Sequence, residues 1–329
     1  MNLVKSGSSA EVGELPRRKF KPLDYGLYVF VIIMVVVFSQ LSDKFFTTSN
    51  LMGMFLNSLP LVVIAIGMTF VIISGDLDLS VGSILLTSGT LGSLLMDRMG
   101  IHPIPAIIVT VLVGMLIGML NGFMIAILGM HPWITTLSMQ LVLRGFSFTF
   151  SQSTNILLPS SVTALRNIKV FGAVPVILIF VLLFMLIMQI LLKYTVFGRQ
   201  ICLIGSNRPA AEKIGLNVKK LRFMIFTLSG TLAGIAAVVA YITMGAITPF
   251  SGRGYEFTAT TAVVVGGTSM AGGKGCVFPF TLLGIFIISC LENGLSIAGA
   301  NPYMFELLRG MVIFAGMLID SAKNRKTAV

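Results

Sequence analysis

Ten apolar runs follow one another with little polar sequence between them, and that pattern leaves few folds open. They are Leu27–Leu41, Leu51–Ile73, Val81–Met96, Ala106–Leu128, Ile134–Phe150, Val174–Leu192, Phe223–Met244, a shorter Phe257–Val265, Val277–Ile297 and Tyr303–Ile319. The hydrocarbon core of a bilayer is about 30 Å thick and takes roughly 20 helical residues to cross. Inside it every backbone N–H and C=O must be satisfied internally, which a helix does and irregular chain does not. The chain therefore reads as an all-α integral membrane protein with about ten transmembrane helices. Composition agrees: 56% of residues are hydrophobic and 11% charged, against about 25% charged in soluble domains. Pro60 removes a backbone donor inside the second run, so a kink or break is expected near Ser58-Leu59-Pro60.

Charge sets the orientation. With the N-terminus inside, ten crossings return the C-terminus to the cytoplasm. Sixteen of the 23 Lys and Arg residues then fall on the cytoplasmic side: the N-terminal tail, the segment Lys193–Arg222, Lys274, and Lys323, Arg325 and Lys326. Five fall outside (Lys44, Arg98, Arg166, Lys169, Arg253), and Arg144 and Arg309 lie within runs. An excess of basic residues in cytoplasmic segments is the usual topological signal. It also accounts for the net charge of +11 without nucleic acid. The expected organisation is a cytoplasmic tail over 1–24, a membrane domain over 25–320 with a cytoplasmic loop at 193–222, and a cytoplasmic tail over 321–329. The larger outer loops are Ser151–Ala173 and one that holds Arg253 and Glu256. No cleavable leader is expected, because the first 23 residues are polar and lack an apolar core.

The loop 193–222 has internal structure. It carries seven of the basic residues, and Arg208-Pro209-Ala210-Ala211 reads as the first turn of a short helix that Gly215 stops. A short cytoplasmic helix between two spans is a place where a membrane protein docks a soluble partner. Elsewhere Gly114, Gly118 and Gly122 form a stripe that lets helix backbones approach closely.

Charges inside the runs are few. Glu306 and Arg309 are spaced to pair on one face, and Arg144 is placed to snorkel or to neutralise a neighbour. Glu292 has no sequence-adjacent partner and is the leading candidate for a functional intramembrane carboxylate. In Ser74–Ser83, SGDLDLSVGS, Asp78 and Ser80 fit an N-cap for the third run. A cation site there lacks the further oxygen ligands it would need. The run Thr268–Gly275, TSMAGGKG, has neither the first glycine nor the hydroxyl residue of a phosphate loop and reads as a tight turn. Cys202, Cys276 and Cys290 have no metal spacing, and no His–Glu or Ser–His–Asp set is visible. Neither cofactor nor metal is expected, and an intramembrane enzyme finds no catalytic set.

Three motifs, SGDLDLSVGS, GRQICLIGSNRPAAEKIGLNV and GYEFTATTAVVVGGTSMAGGKG, resemble in order and spacing the permease subunits of ribose-, xylose- and galactose-type bacterial ABC sugar importers. The resemblance covers about residues 25 to 320. It implies a type II permease fold related to the cobalamin importers, in a homodimer in the inner membrane. It also implies cytosolic ATPase subunits, often fused in tandem, and a periplasmic or lipid-anchored sugar-binding protein. The loop matching Gly198–Asn217 couples permease to ATPase in that family. Gly198, Arg199, Gly205, Asn207, Arg208, Ala210, Ala211, Gly215 and Asn217 stand at those positions here. Three residues depart from the pattern: Asp76 where a second glycine is usual, Arg208 where an acidic residue is frequent, and Glu292 in place of a polar amide. Asn57, Thr135, Thr136 and Glu292 are the candidates for lining a pathway. The expected function is a gated route for a monosaccharide, opened by ATP bound on a partner. The alternatives are an ion-coupled secondary transporter using Glu292 and Asp78, or an ABC permease for a polyol or autoinducer.

Overall fold

A computed structural model describes residues 22–301 and, beyond them, positions 304, 305, 307, 310, 311 and 314. The expected pairing of Glu306 with Arg309, residues 1–21 of the N-terminal tail and the C-terminal tail lie outside the described residues. Among the described residues nine of the ten apolar runs form the helices α1 (Pro22–Leu41), α2 (Thr48–Ile73), α3 (Val81–Asp97), α4 (Pro103–Gly122, continued by a π turn Phe123–Ile127), α5 (Pro132–Ser151), α7 (Val176–Tyr194), α10 (Val218–Met244), α11 (Tyr255–Val265) and α12 (Leu282–Ile297), and the described positions of the tenth are helical too. Between them lie α6 (Ser160–Thr163), α8 (Val196–Ser206) and α9 (Arg208–Lys213). Among the described residues five helices are long and apolar enough to cross a membrane: α2, α4 with its π turn, α7, α10 and the stretch ending in α12.

α2 is the axis of the molecule. Every residue from Leu59 to Ser74 is buried, as expected of a helix apolar on all sides. It runs antiparallel to α10, with Gly67 against Ser229 and Leu232 and Asp76 against Arg222. Of the kink or break expected near Pro60, a break does not occur: the helix is continuous through it. Enclosure by neighbours holds the turn even though one donor is missing.

α4 reverses the pattern of a soluble helix. Ile104, Ile108, Leu112, Leu116 and Leu120 are exposed, while Ala106, Thr110, Gly114, Gly118, Asn121 and Gly122 are buried. In lipid the apolar side chains have no reason to turn inward, and close backbone approach drives packing instead. A Cβ on Gly114 would lie 2.6 Å from the Gly230 carbonyl oxygen, and one on Gly118 would lie 2.6 Å from that of Phe226. Gly230 and Gly234 of α10 complete the seam.

α11 is too short to cross alone, since 11 residues rise about 16 Å. The chain leaves α10 at Gly245, which has a left-handed backbone at φ 73°. It pairs β4 (Ala246–Ile247) antiparallel with β1 (Ile156–Leu157), then descends as irregular chain to Gly252, packed on Gly82. The turn that follows α11 reaches the end of α2, where Gly273 N–H donates to the Ile73 carbonyl at 2.8 Å. A hairpin pairs β2 (Lys169–Val170) with β3 (Val174–Pro175), so the segment 151–173, expected as an outer loop, contains folded chain.

Candidate functional site

Three side-chain caps shape the basic segment. Thr195 accepts from Gly198 N–H at 3.3 Å and starts α8; Asn207 accepts from Ala210 N–H at 3.1 Å and starts α9; Asn217 accepts from Lys220 N–H at 2.9 Å and starts α10. Each oxygen satisfies one of the donors that a helix start leaves free. Pro209 sits in the first turn of α9, and Gly215 follows its end at φ 85°. The short helix is where the sequence puts it. The loop around it is not a loop: α8 precedes it, and α10 begins at Val218, so Lys219, Lys220 and Arg222 ride on a long helix.

The expected coupling residues divide by exposure. Arg199, Asn207, Ala210, Gly215 and Asn217 are exposed, whereas Gly198 and Ala211 are buried. Gly198 allows α8 to turn back on the Leu192 carbonyl, and Gly205 lies against the Ile73 carbonyl; neither site has room for a Cβ. Ala211 is therefore a packing residue, and the outward surface of α9 consists of Pro209, Ala210, Glu212, Lys213 and the exposed Ile214.

Beneath α9 lies an ionic junction. The Asp76 carboxylate takes two bonds from Arg222, Nε to Oδ2 at 2.8 Å and Nη2 to Oδ1 at 2.9 Å. Arg208 Nη2 donates to Oδ1 at 3.2 Å and to the Ser74 carbonyl at 3.2 Å. Arg222 Nη1 also reaches the Ile125 carbonyl at 3.4 Å. Two of the three residues that depart from the sequence pattern thus meet each other. Sequence reasoning noted both and did not join them, although opposite charges at two anomalous positions are the signal that could have done so.

Farther in lies a polar layer. Asp78 is fully buried and accepts from Ser80 N–H at 3.0 Å, Ser80 Oγ at 2.6 Å and Ser229 Oγ at 2.8 Å. Asn121 donates to Ser80 Oγ at 2.8 Å. The cap expectation is corrected here. Ser80 occupies the N-cap position of α3 without a side-chain cap bond, and Asp78 instead pins the approach to α3 onto α10. Next to it α3 and α11 both begin, with Gly82 against Gly252. Glu256, expected in an outer loop, is buried in the first turn of α11 and accepts from Gln140 Nε2 at 2.7 Å. Arg144 Nη2 donates to the Gly252 carbonyl at 3.3 Å. Irregular chain at this depth is tolerated where it is enclosed by protein or lines a polar cavity.

The pathway candidates lie on three helices, α2, α5 and α12. Asn57 is exposed on the first half of α2. Thr135 and Thr136 are buried, their hydroxyls donating to the His131 and Pro132 carbonyls at 2.9 Å, and Thr136 Oγ1 also accepts from Leu79 N–H at 3.1 Å. Glu292 is half-buried on α12, beside Asn293, which exchanges amide bonds with Asn50 at 2.8 and 3.0 Å. A cavity of about 180 Å³ between α2, α7 and α12 is apolar, lined by Met54, Phe55, Leu182, Ile285 and Phe286 with Ser58 and Ser289. Among the described residues no group of three or more His, Cys, Asp or Glu side chains is arranged to hold a metal.

A family model described as branched-chain amino acid transport system / permease component matches residues 50–317. The ribose import permease protein of Bacillus subtilis (strain 168) is 35% identical over 305 residues, 91% of this chain and 93% of its own. The D-allose transport system permease protein of Escherichia coli (strain K12) is 35% identical over 299 residues, 90% of this chain and 91% of its own. The L-arabinose transport system permease protein of the same strain is 30% identical over 302 residues, 92% and 91%. No solved structure matches the chain. The chain belongs to this family of ABC permease components. It is an inner-membrane transport subunit with several spanning helices, and not an enzyme.

Proposed function

We propose that the protein is the membrane subunit of an ATP-driven importer for a monosaccharide of the pentose or hexose class. Two copies would form the pathway, with cytosolic ATPase subunits below and an extracytoplasmic sugar-binding protein above. The observation that carries the reading is α9. It is a six-residue helix with its own cap, an exposed apolar residue at Ile214 and a base seated on the end of α2. Such a helix suits a soluble partner whose affinity differs between two permease states, which is what coupling requires. Full-length similarity to ribose, allose and arabinose permeases favours a sugar over the branched-chain amino acids in the family description. The polar layer around Gln140 and Glu256, where α3 and α11 begin, would give hydroxyl groups hydrogen-bonding partners at mid-depth.

A cysteine in place of the exposed Ala210 should crosslink to the ATPase subunit in inside-out vesicles. The native Cys202 thiol, which burial pushes above its ordinary range, reacts slowly and can be replaced by serine. Labelling of position 210 only from the extracytoplasmic side would reverse the topology and remove the reading. A ligand screen on the cognate binding protein would identify the cargo.

A further inference from the structure

We propose that Asp76 is the latch through which movement of α9 reaches the start of α3, a role that rests on α9 being the ATPase-facing helix. The carboxylate is 4% exposed and held by two guanidinium groups of different standing. Arg222 grips both oxygens in a planar fork. It stands on the long α10 and is tied as well to the turn after α4. Arg208 touches a single oxygen at 3.2 Å, its side chain is 35% exposed, and it is the first residue of α9. The Arg222 arm is the fixed mount; the Arg208 arm is the one that α9 can carry away.

Gly205 of α8 lies on the Ile73 carbonyl, and Gly272 lies on the Gly205 backbone, so main chain packs on main chain beside the latch and the ion pair is the side-chain link between α9 and residues 74–76. Displacement of α9 either draws residues 74–76 along through Arg208 or opens that arm and leaves Asp76 to Arg222. Two residues farther on, Asp78 binds Ser80 and Ser229, so the stretch 76–80 is a short lever between α9 and the first turn of α3.

The test is sugar uptake per ATP hydrolysed, in proteoliposomes holding the permease, its ATPase and its binding protein. The probe is D-ribose, with D-allose and L-arabinose as substitutes if it is not carried. Asp76→Gly and Arg208→Glu should each lower the ratio roughly tenfold while the complex still assembles and hydrolyses ATP. Because both changes break the same pair, the double variant should lose no more than either single one, a non-additive cycle. If Asp76→Gly does not reach the membrane, Asp76→Asn, equal in size and uncharged, is read in its place. Unchanged ratios in the single variants, or additive losses in the double, would overturn the latch. A cysteine at position 210 that fails to crosslink to the ATPase removes the coupling reading and the latch with it. A crosslink at 210 with unchanged ratios removes the latch alone.

Discussion

The seam between α4 and α10 and the junction at Asp76 both hold α10 in place, by opposite means. The seam uses residues that have almost no side chain: Gly114 and Gly118 face Gly230 and Gly234, and carbonyl oxygens stand where Cβ atoms would be. The junction uses one buried carboxylate and two long basic side chains from separate elements. A glycine seam has no slack, because a single methyl group meets backbone. An ion pair with one arm at a half-exposed residue can lengthen, part and re-form. The molecule therefore has a rigid frame along α4 and α10 and an adjustable joint where α9 meets it.

The largest expected effect attacks the frame. Gly114→Leu puts a side chain where the Gly230 carbonyl oxygen lies 2.6 Å from the Cβ position. The loss should be about 3 kcal/mol, at the upper end of overpacking costs, and should show as a lower midpoint of heat-induced aggregation in detergent. Gly145→Leu, with nothing within 4 Å of its Cβ position, is the control. Equal behaviour of the two variants would mean that the seam is not the frame.

A smaller effect lies between frame and joint. Asp78→Leu removes the acceptor of Ser80 N–H, Ser80 Oγ and Ser229 Oγ in a fully buried place. Leaving such donors unpaired costs about 2 kcal/mol, and the same aggregation midpoint should report it. Asp78→Asn keeps the shape and one acceptor oxygen and should lose about half as much. Lost uptake in the Asn variant at normal protein levels would show that the charge matters for more than holding α3 to α10.

The difference in kind explains what the sequence made legible. The frame follows from periodicity: glycine at every fourth position of one apolar run announces a packed face, and apolar length announces the spans. The short helix α9 is equally plain, because Pro209 and Gly215 are local signals that act within one turn. The joint was hidden because residues 76, 208 and 222 are far apart in the chain, and only the antiparallel pairing of α2 with α10 brings them together. Glu256 was misplaced for a related reason. A helix of 11 residues gives a weak apolar signal, so its first turn resembles loop, and its burial, with the Gln140 bond and the contact between Gly252 and Gly82, places it within the protein.

The smallest effect separates the joint from the frame most sharply. Asn207 is the sole side-chain cap of α9, its oxygen 3.1 Å from Ala210 N–H. A six-residue helix has little internal hydrogen bonding to fall back on, because its first donors and last acceptors have no partners within it. Asn207→Ala should therefore cost about 1 kcal/mol, raising the open population of α9 roughly fivefold. The heat midpoint, which reports the frame, should not move. Trypsin cleavage after the exposed Lys213 should speed up by about that factor if opening is fast relative to cleavage. A fall in the midpoint with no change in cleavage would mean that the cap supports the α10 packing instead. In that case α9 and the α4–α10 seam would be one rigid unit, and the contrast between joint and frame would be lost.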